Sequence, residues 1–106
     1  MIILHKTFSE KVREKLKLIP RGRITTYREI AKAIRQPNAF RAVGNACNKN
    51  PFAPKIPCHR VVLSNGGIGG YAKGKKKKIE LLEKEGIEIK NNKVIDFKEK
   101  LFRFKA

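Results

Sequence analysis

Thr26-Tyr27-Arg28-Glu29-Ile30-Ala31-Lys32-Ala33-Ile34, then Gln36-Pro37-Asn38, then Ala39-Phe40-Arg41-Ala42-Val43-Gly44-Asn45-Ala46-Cys47-Asn48: this stretch decides the fold. Thr26 and Glu29 have capping-box spacing, in which hydroxyl and carboxylate each satisfy the other's free backbone N–H. Ile30, Ala31 and Ile34 follow as one apolar stripe of a short helix. Pro37 breaks the chain, and Asn38 is placed to cap a next helix predicted over about 39–48. On it Phe40, Val43 and Cys47 share one face, while Ala42 and Ala46 keep another face slim. Two short helices around a tight turn in a basic chain predict a helix-turn-helix. The slim face suits either close packing on a neighbouring helix or deep approach to a nucleic-acid groove. Arg41 by itself reads as a solvated side chain.

Upstream, Thr7-Phe8-Ser9-Glu10 is another capping box, with Phe8, Val12 and Leu16 at helical spacing and Pro20 beyond the predicted end. Downstream, Asn50-Pro51 and the prolines at 54 and 57 predict a stiff, extended link to Ile56-Pro57-Cys58-His59-Arg60-Val61-Val62. A thiol beside an imidazole and a guanidinium is a candidate nucleophile, because the thiolate is the reactive form. Adjacency alone does not bring His59 to Cys58, since neighbours on a strand point to opposite faces. The glycine-rich Ser64-Asn65-Gly66-Gly67-Ile68-Gly69-Gly70-Tyr71 fits neither phosphate-loop nor dinucleotide spacing, so its partner is a flat ligand or another segment of the chain. Lys75 to Lys78 open a further helix ended by Gly86 and read as a solvated face, although lysines there meet the unfavourable end of the helix dipole. Ile87-Glu88-Ile89 and Lys93-Val94-Ile95 flank Lys90-Asn91-Asn92 as a hairpin, and Leu101, Phe102 and Phe104 need a surface to cover.

At 106 residues the chain predicts one domain with a modest core. Lysine and arginine number 26 against 9 acidic residues, a net charge of +17, and a surplus of this size points first to a polyanionic partner, nucleic acid above all. Basic residues are spread along the whole length, with apolar residues punctuating them throughout, which favours a folded module over a disordered arm. No apolar run is long enough to span a bilayer, and the first residues are too short in apolar content for a secretory signal, so an intracellular protein is expected. Cys47 and Cys58 with His5 and His59 lack metal-site spacing, so no metal is expected, and Cys47 and His5 read as a packing and a surface residue.

Taken together these segments resemble the catalytic domain of the O6-alkylguanine-DNA alkyltransferases. The family's active-site signature stands here as Pro57-Cys58-His59-Arg60-Val61. Gly22 to Tyr27, Arg41-Ala42-Val43-Gly44, Asn50-Pro51, Gly69 with Tyr71, and Leu81-Leu82 with Glu85-Gly86 agree in order and spacing. The resemblance implies a mainly α, winged-helix-like domain with small β elements and a helix-turn-helix. It implies a single catalytic and DNA-binding domain over 1–106, without the N-terminal domain of many members. The implied activity is irreversible, single-turnover transfer of the alkyl group of O6-alkylguanine to Cys58, after minor-groove binding and base flipping. His59 would be general base through a water, Glu85 its orienter, and Tyr27 the group that pushes the nucleotide out and bonds guanine N3. Arg41 would be the finger filling the vacated stack, with Ala39, Ala42 and Ala46 in the groove and Phe40 a bulkier departure. Cys58, Val61, Tyr71 and Ala72 would line the purine pocket, Ala72 standing where some relatives have serine, and Asn50 would support the site. This reading needs an ionisable Cys58 on the floor of a cavity wide enough for an everted purine. No cofactor is implied; the partner is double-stranded DNA carrying the lesion, met by a cytoplasmic monomer with no membrane contact. The alternative is a non-catalytic lesion binder of the alkyltransferase-like kind, and a third reading is a plain basic helix-turn-helix DNA binder.

Overall fold

The computed structural model describes residues 6–105, so His5 lies outside the described residues. Helix α1 (Phe8–Leu16) opens with the full capping box: Glu10 N–H donates to the Thr7 hydroxyl and Thr7 N–H to the Glu10 carboxylate. Strand β1 (Thr25–Thr26) leads into α2 (Tyr27–Ala33), and α3 is Phe40–Asn48. Only half of the second capping box forms. Thr26 accepts from Glu29 N–H, but the Glu29 carboxylate turns towards Arg103, 3.8 Å away. Asn38 is not the cap of α3; Ala39 holds that position without a side-chain bond.

The predicted extended stretch at Cys58 is in fact a single 3-10 turn, Cys58–Arg60, running into β2 (Val61–Val62). With three residues per turn, consecutive side chains fan out by a third of a circle rather than alternating. Helix α4 is Lys75–Lys84, the hairpin β3 (Ile89–Lys90) and β4 (Lys93–Val94) follows, and α5 (Phe97–Lys100) precedes the C-terminal segment. The hairpin turn is two residues, Asn91 and Asn92, with φ of 53° and 61°, as a type I′ turn demands.

β1 and β2 pair in parallel, Thr25 opposite Val61 and Thr26 opposite Val62. Because side chains alternate on a strand, Val61 enters one apolar cluster and Val62 another. The first cluster holds Val12, Leu16, Ile30, Ala31, Val43 and Cys47, joining the three N-terminal helices. The second holds Ile24, Ile68, Leu82, Ile87 and Val94, under α4 and the hairpin. The glycine-rich loop finds its partner in the chain itself: Ile68 N–H donates to Asn92 and Val94 N–H to Gly66. The aromatic tail also finds its surface, with Phe102 and Phe104 packed on the first cluster. No helix among the described residues is long and apolar enough to cross a membrane.

Candidate active site

The link from α3 to the thiol is held by Asn50. Its amide donates to Ile56 O at 2.8 Å while its carbonyl accepts from Phe52 N–H at 3.0 Å, so one buried side chain closes the loop from within. Cys58 N–H then donates to Ile56 O, which sets the start of the 3-10 turn. Cys58 is 3% exposed. The sulfur is therefore below the surface, not on the open floor that the sequence reading required. Burial pushes its pKa up, opposed by the Asn50 amide and by the positive charge of Lys78 and Lys73.

His59 and Arg60 fan out from the same turn and meet one carboxylate. Glu85, at the C-terminal end of α4, lies 3.0 Å from His59 Nε2 and accepts from Arg60 Nε and Nη2 at 2.9 and 2.8 Å. Arg60 Nη1 also donates to Ile19 O at 2.8 Å, tying the end of the first helical layer to the site. Burial works against the charge on Glu85, but the bonds from Arg60 and His59 outweigh it and the carboxyl sits below its ordinary range. Burial pulls the imidazole of His59 below its ordinary value, only partly offset by Glu85. A neutral ring facing an ionised carboxylate presents its N–H there. That leaves Nδ1 as a bare acceptor, and among the described residues it is buried with no hydrogen-bond partner. A thiol, a proton-accepting nitrogen and an orienting carboxylate are thus in sequence order along one turn and one helix end. In the sequence Arg60 stood only as a cation beside the thiol; its bidentate grip on Glu85 is the larger of the two bonds that keep that carboxylate charged.

Lys78 is the larger omission. Read as part of a solvated run, it is fully buried, while Lys75, Lys76 and Lys77 are exposed. Its ammonium donates to Val61 O at 2.7 Å and Gly70 O at 3.0 Å and lies 3.5 Å from the Tyr27 hydroxyl. Burial lowers its pKa to about 8, with the two cysteines opposing. A signal was present: Lys78, Leu82 and Glu85 recur at i, i+4 and i+7, one face of α4. The phenol of Tyr27 is pushed up by burial, so it remains a proton donor. Gly69 has φ of 70°, and a Cβ there would come within 3.3 Å of the Tyr27 hydroxyl, so this glycine permits the close approach.

Around this centre, Val61 and Tyr71 are buried and Ala72 is exposed on the turn that follows. The Tyr71 ring meets His59 edge-on at 6.3 Å, and its hydroxyl is buried without a partner among the described residues. On α3, Arg41 and Ala42 are exposed and Ala39, Phe40 and Ala46 half-buried. The Phe40 ring carries the Arg28 guanidinium 4.2 Å from its centroid. Beside Tyr27 a hollow of about 290 Å³ is lined by Arg28, Phe40, Leu63, Ser64 and Asn65. Burial holds the Cys47 thiol at about 12, and it lies in the apolar packing of α3 as expected. Among the described residues no group of His, Cys, Asp and Glu could hold a metal ion.

Fold and site together define a helix-turn-helix domain in which a buried cysteine stands on the same 3-10 turn as a histidine bonded to a glutamate. Residues 7–87 match the model of the 6-O-methylguanine DNA methyltransferase, DNA binding domain, and the chain belongs to that family. A methylated-DNA–protein-cysteine methyltransferase of Methanosarcina acetivorans is 52% identical over 79 residues, 74% of this chain and 51% of the relative. The chain thus spans about half the length of the curated relatives it matches. Among solved structures, Mycobacterium tuberculosis OGT in complex with DNA aligns with a TM-score of 0.73 at 43% identity, covering 77% of this chain and 51% of that one. S. pombe Atl1, in complex with damaged DNA containing O6-carboxymethylguanine, aligns with a TM-score of 0.81 at 30% identity, covering 91% and 94%.

Proposed function

We propose that this protein repairs duplex DNA by taking the alkyl group of an O6-alkylguanine onto Sγ of Cys58, once per molecule. The observation that supports the reading is that Cys58 shares one 3-10 turn with a neutral His59, whose Nε2 is committed to Glu85 and whose Nδ1 is uncommitted. In this reading α3 enters the minor groove through Ala39, Ala42 and Ala46, Arg41 fills the stack, and Tyr27 displaces the nucleotide. The purine enters by displacing the segment 69–74, where an added Cβ at Gly70 or Gly74 would meet nothing within 4 Å.

His59 Nδ1 takes the thiol proton through a water. The S–C bond forms as the C–O6 bond breaks, in line, and the departing guanine receives the Tyr27 proton at N3. Lys78, 3.5 Å behind the phenol oxygen, stabilises the charge left there and can return the proton. Val61 O already accepts from Lys78, and its second lone pair is available to the guanine amino group together with Cys58 O. The amide of Ala72 and the Tyr71 segment face O6. No cofactor enters this balance. The thioether is not hydrolysed, so the protein is consumed. Two free cysteines suit a reducing cytoplasm, and the protein would act as a monomer.

A second reading is supported by the 3% exposure of Cys58 and by the likeness to Atl1 over nearly its whole length: lesion binding without transfer. Intact mass after incubation with an O6-methylguanine duplex separates the two. Transfer adds one methyl group per chain, mapped to the Cys58 peptide and absent in Cys58→Ala. Tight lesion binding with unchanged mass would establish the second reading in its place.

A further inference from the structure

The hollow beside Tyr27 does not end there. It shares Arg28, Ser64 and Asn65 with a second, of about 540 Å³, which reaches Lys98, Leu101 and Arg103. This shares Glu29 and Lys32 with a third, of about 590 Å³, extending to Phe104 and Lys105. Linked by these shared residues, the three hollows form a chain, termed the channel, from the start of α3, across α2, to the C-terminal segment. Among the described residues lining it, Glu29 alone is acidic.

The far wall of the channel is a built element. Ile24 N–H donates to Lys100 O at 3.0 Å, Phe102 N–H to Ile24 O at 2.6 Å, and the Thr25 hydroxyl to Phe102 O at 2.8 Å. Arg23 closes the join from the side, donating to Lys100 O and Leu101 O at 3.0 and 2.7 Å. The segment is therefore held alongside the start of β1 as an extended chain, in which alternate residues face opposite ways. Phe102 and Phe104 pack on the core, which turns Arg103 and Lys105 outwards, and the Arg103 side chain is 74% exposed. Like charges fixed along a groove repel one another unless a polyanion lies between them. The family match ends at residue 87, so this wall lies beyond the part of the chain that the match covers.

We infer that the channel is a second contact for the sugar-phosphate backbone of duplex DNA, continuous with the α2–α3 surface, in which Lys98 and Arg103 each meet a phosphate. The inference rests on the duplex binding proposed above. Neutralising a backbone phosphate releases counterions, so each phosphate met adds about 0.9 to the slope of log affinity against log salt concentration.

The test is fluorescence anisotropy with an unmodified duplex over a salt series, comparing the protein with Lys98→Gln/Arg103→Gln. Lys84→Gln/Lys90→Gln, exposed and outside the channel, removes the same charge elsewhere. The slope should fall by about 1.8 in the first variant, in which two phosphates are no longer neutralised, and stay near that of the unaltered protein in the second. Equal slopes in all three, or equal losses in both variants, overturn the inference while leaving duplex binding by α2–α3 intact. No salt-dependent binding by the unaltered protein overturns that binding itself, and the inference with it.

Discussion

Lys78 shows how one side chain can serve the fold and the chemistry together. A buried ammonium costs several kcal/mol unless it is hydrogen-bonded, and here two carbonyls and a phenol receive it. Lys78→Met removes the charge but leaves Val61 O and Gly70 O short of a donor, a loss of about 1–3 kcal/mol for each buried group so exposed. If Lys78 acts on the leaving base through Tyr27, the two residues are coupled. Single-turnover transfer should slow by about two orders of magnitude in Tyr27→Phe. Lys78→Met should slow it far less in that background than in the unaltered protein. Additive losses in the double variant would remove Lys78 from the chemistry. Cys58 and His59 were legible as candidates because they sit side by side in a short motif. Glu85 was legible only through the resemblance, since its approach to His59 depends on how α4 crosses the 3-10 turn. Lys78 was not legible, because a run of four lysines does not say which of them faces inwards.

Among the elements, the loop from α3 to the thiol is the most exposed to a single change. Asn50→Ala leaves Phe52 N–H and Ile56 O unpaired inside the loop. A loss of about 1–3 kcal/mol in stability by denaturant unfolding is expected. Alkyl transfer should fall more than duplex affinity does, since α3 keeps its own hydrogen bonds. Equal losses in both would place the role of Asn50 in folding alone. Helices α1 and α2 were readable from caps and apolar spacing, α3 from apolar spacing without its expected cap, and the hairpin from the Asn-Asn turn. The parallel pair β1–β2 was not: two residues per strand give no periodicity, and parallel partners lie far apart in sequence. The 3-10 turn at Cys58 was hidden in the same way, because prolines before it and β-branched residues after it suggest extended chain.

For the molecule as a whole, the buried His59–Glu85 pair ties stability to acid. His59 has a folded pKa below its ordinary value of 6.5, so in mildly acidic solution the unfolded chain binds the extra proton and stability falls as pH drops. Glu85 is depressed from 4.5, and its contribution, present above that value, is lost as pH falls further. Melting temperature should therefore decline from about pH 6.5 downwards in two stages. His59→Gln should flatten the first stage only, and parallel decline in protein and variant would exclude His59 as its source. The net charge of +17 was the plainest message of the sequence, but its arrangement along a channel depends on the docking of the C-terminal segment, which composition cannot express.

The valine pair of β2 divides the interior. Trimming Val61 leaves a void among the N-terminal helices, whereas trimming Val62 leaves one beneath α4 and the hairpin. Amide exchange should then quicken on one side of the seam before the other, so that this small chain comes apart as two cooperative halves, Cys58 travelling with the first.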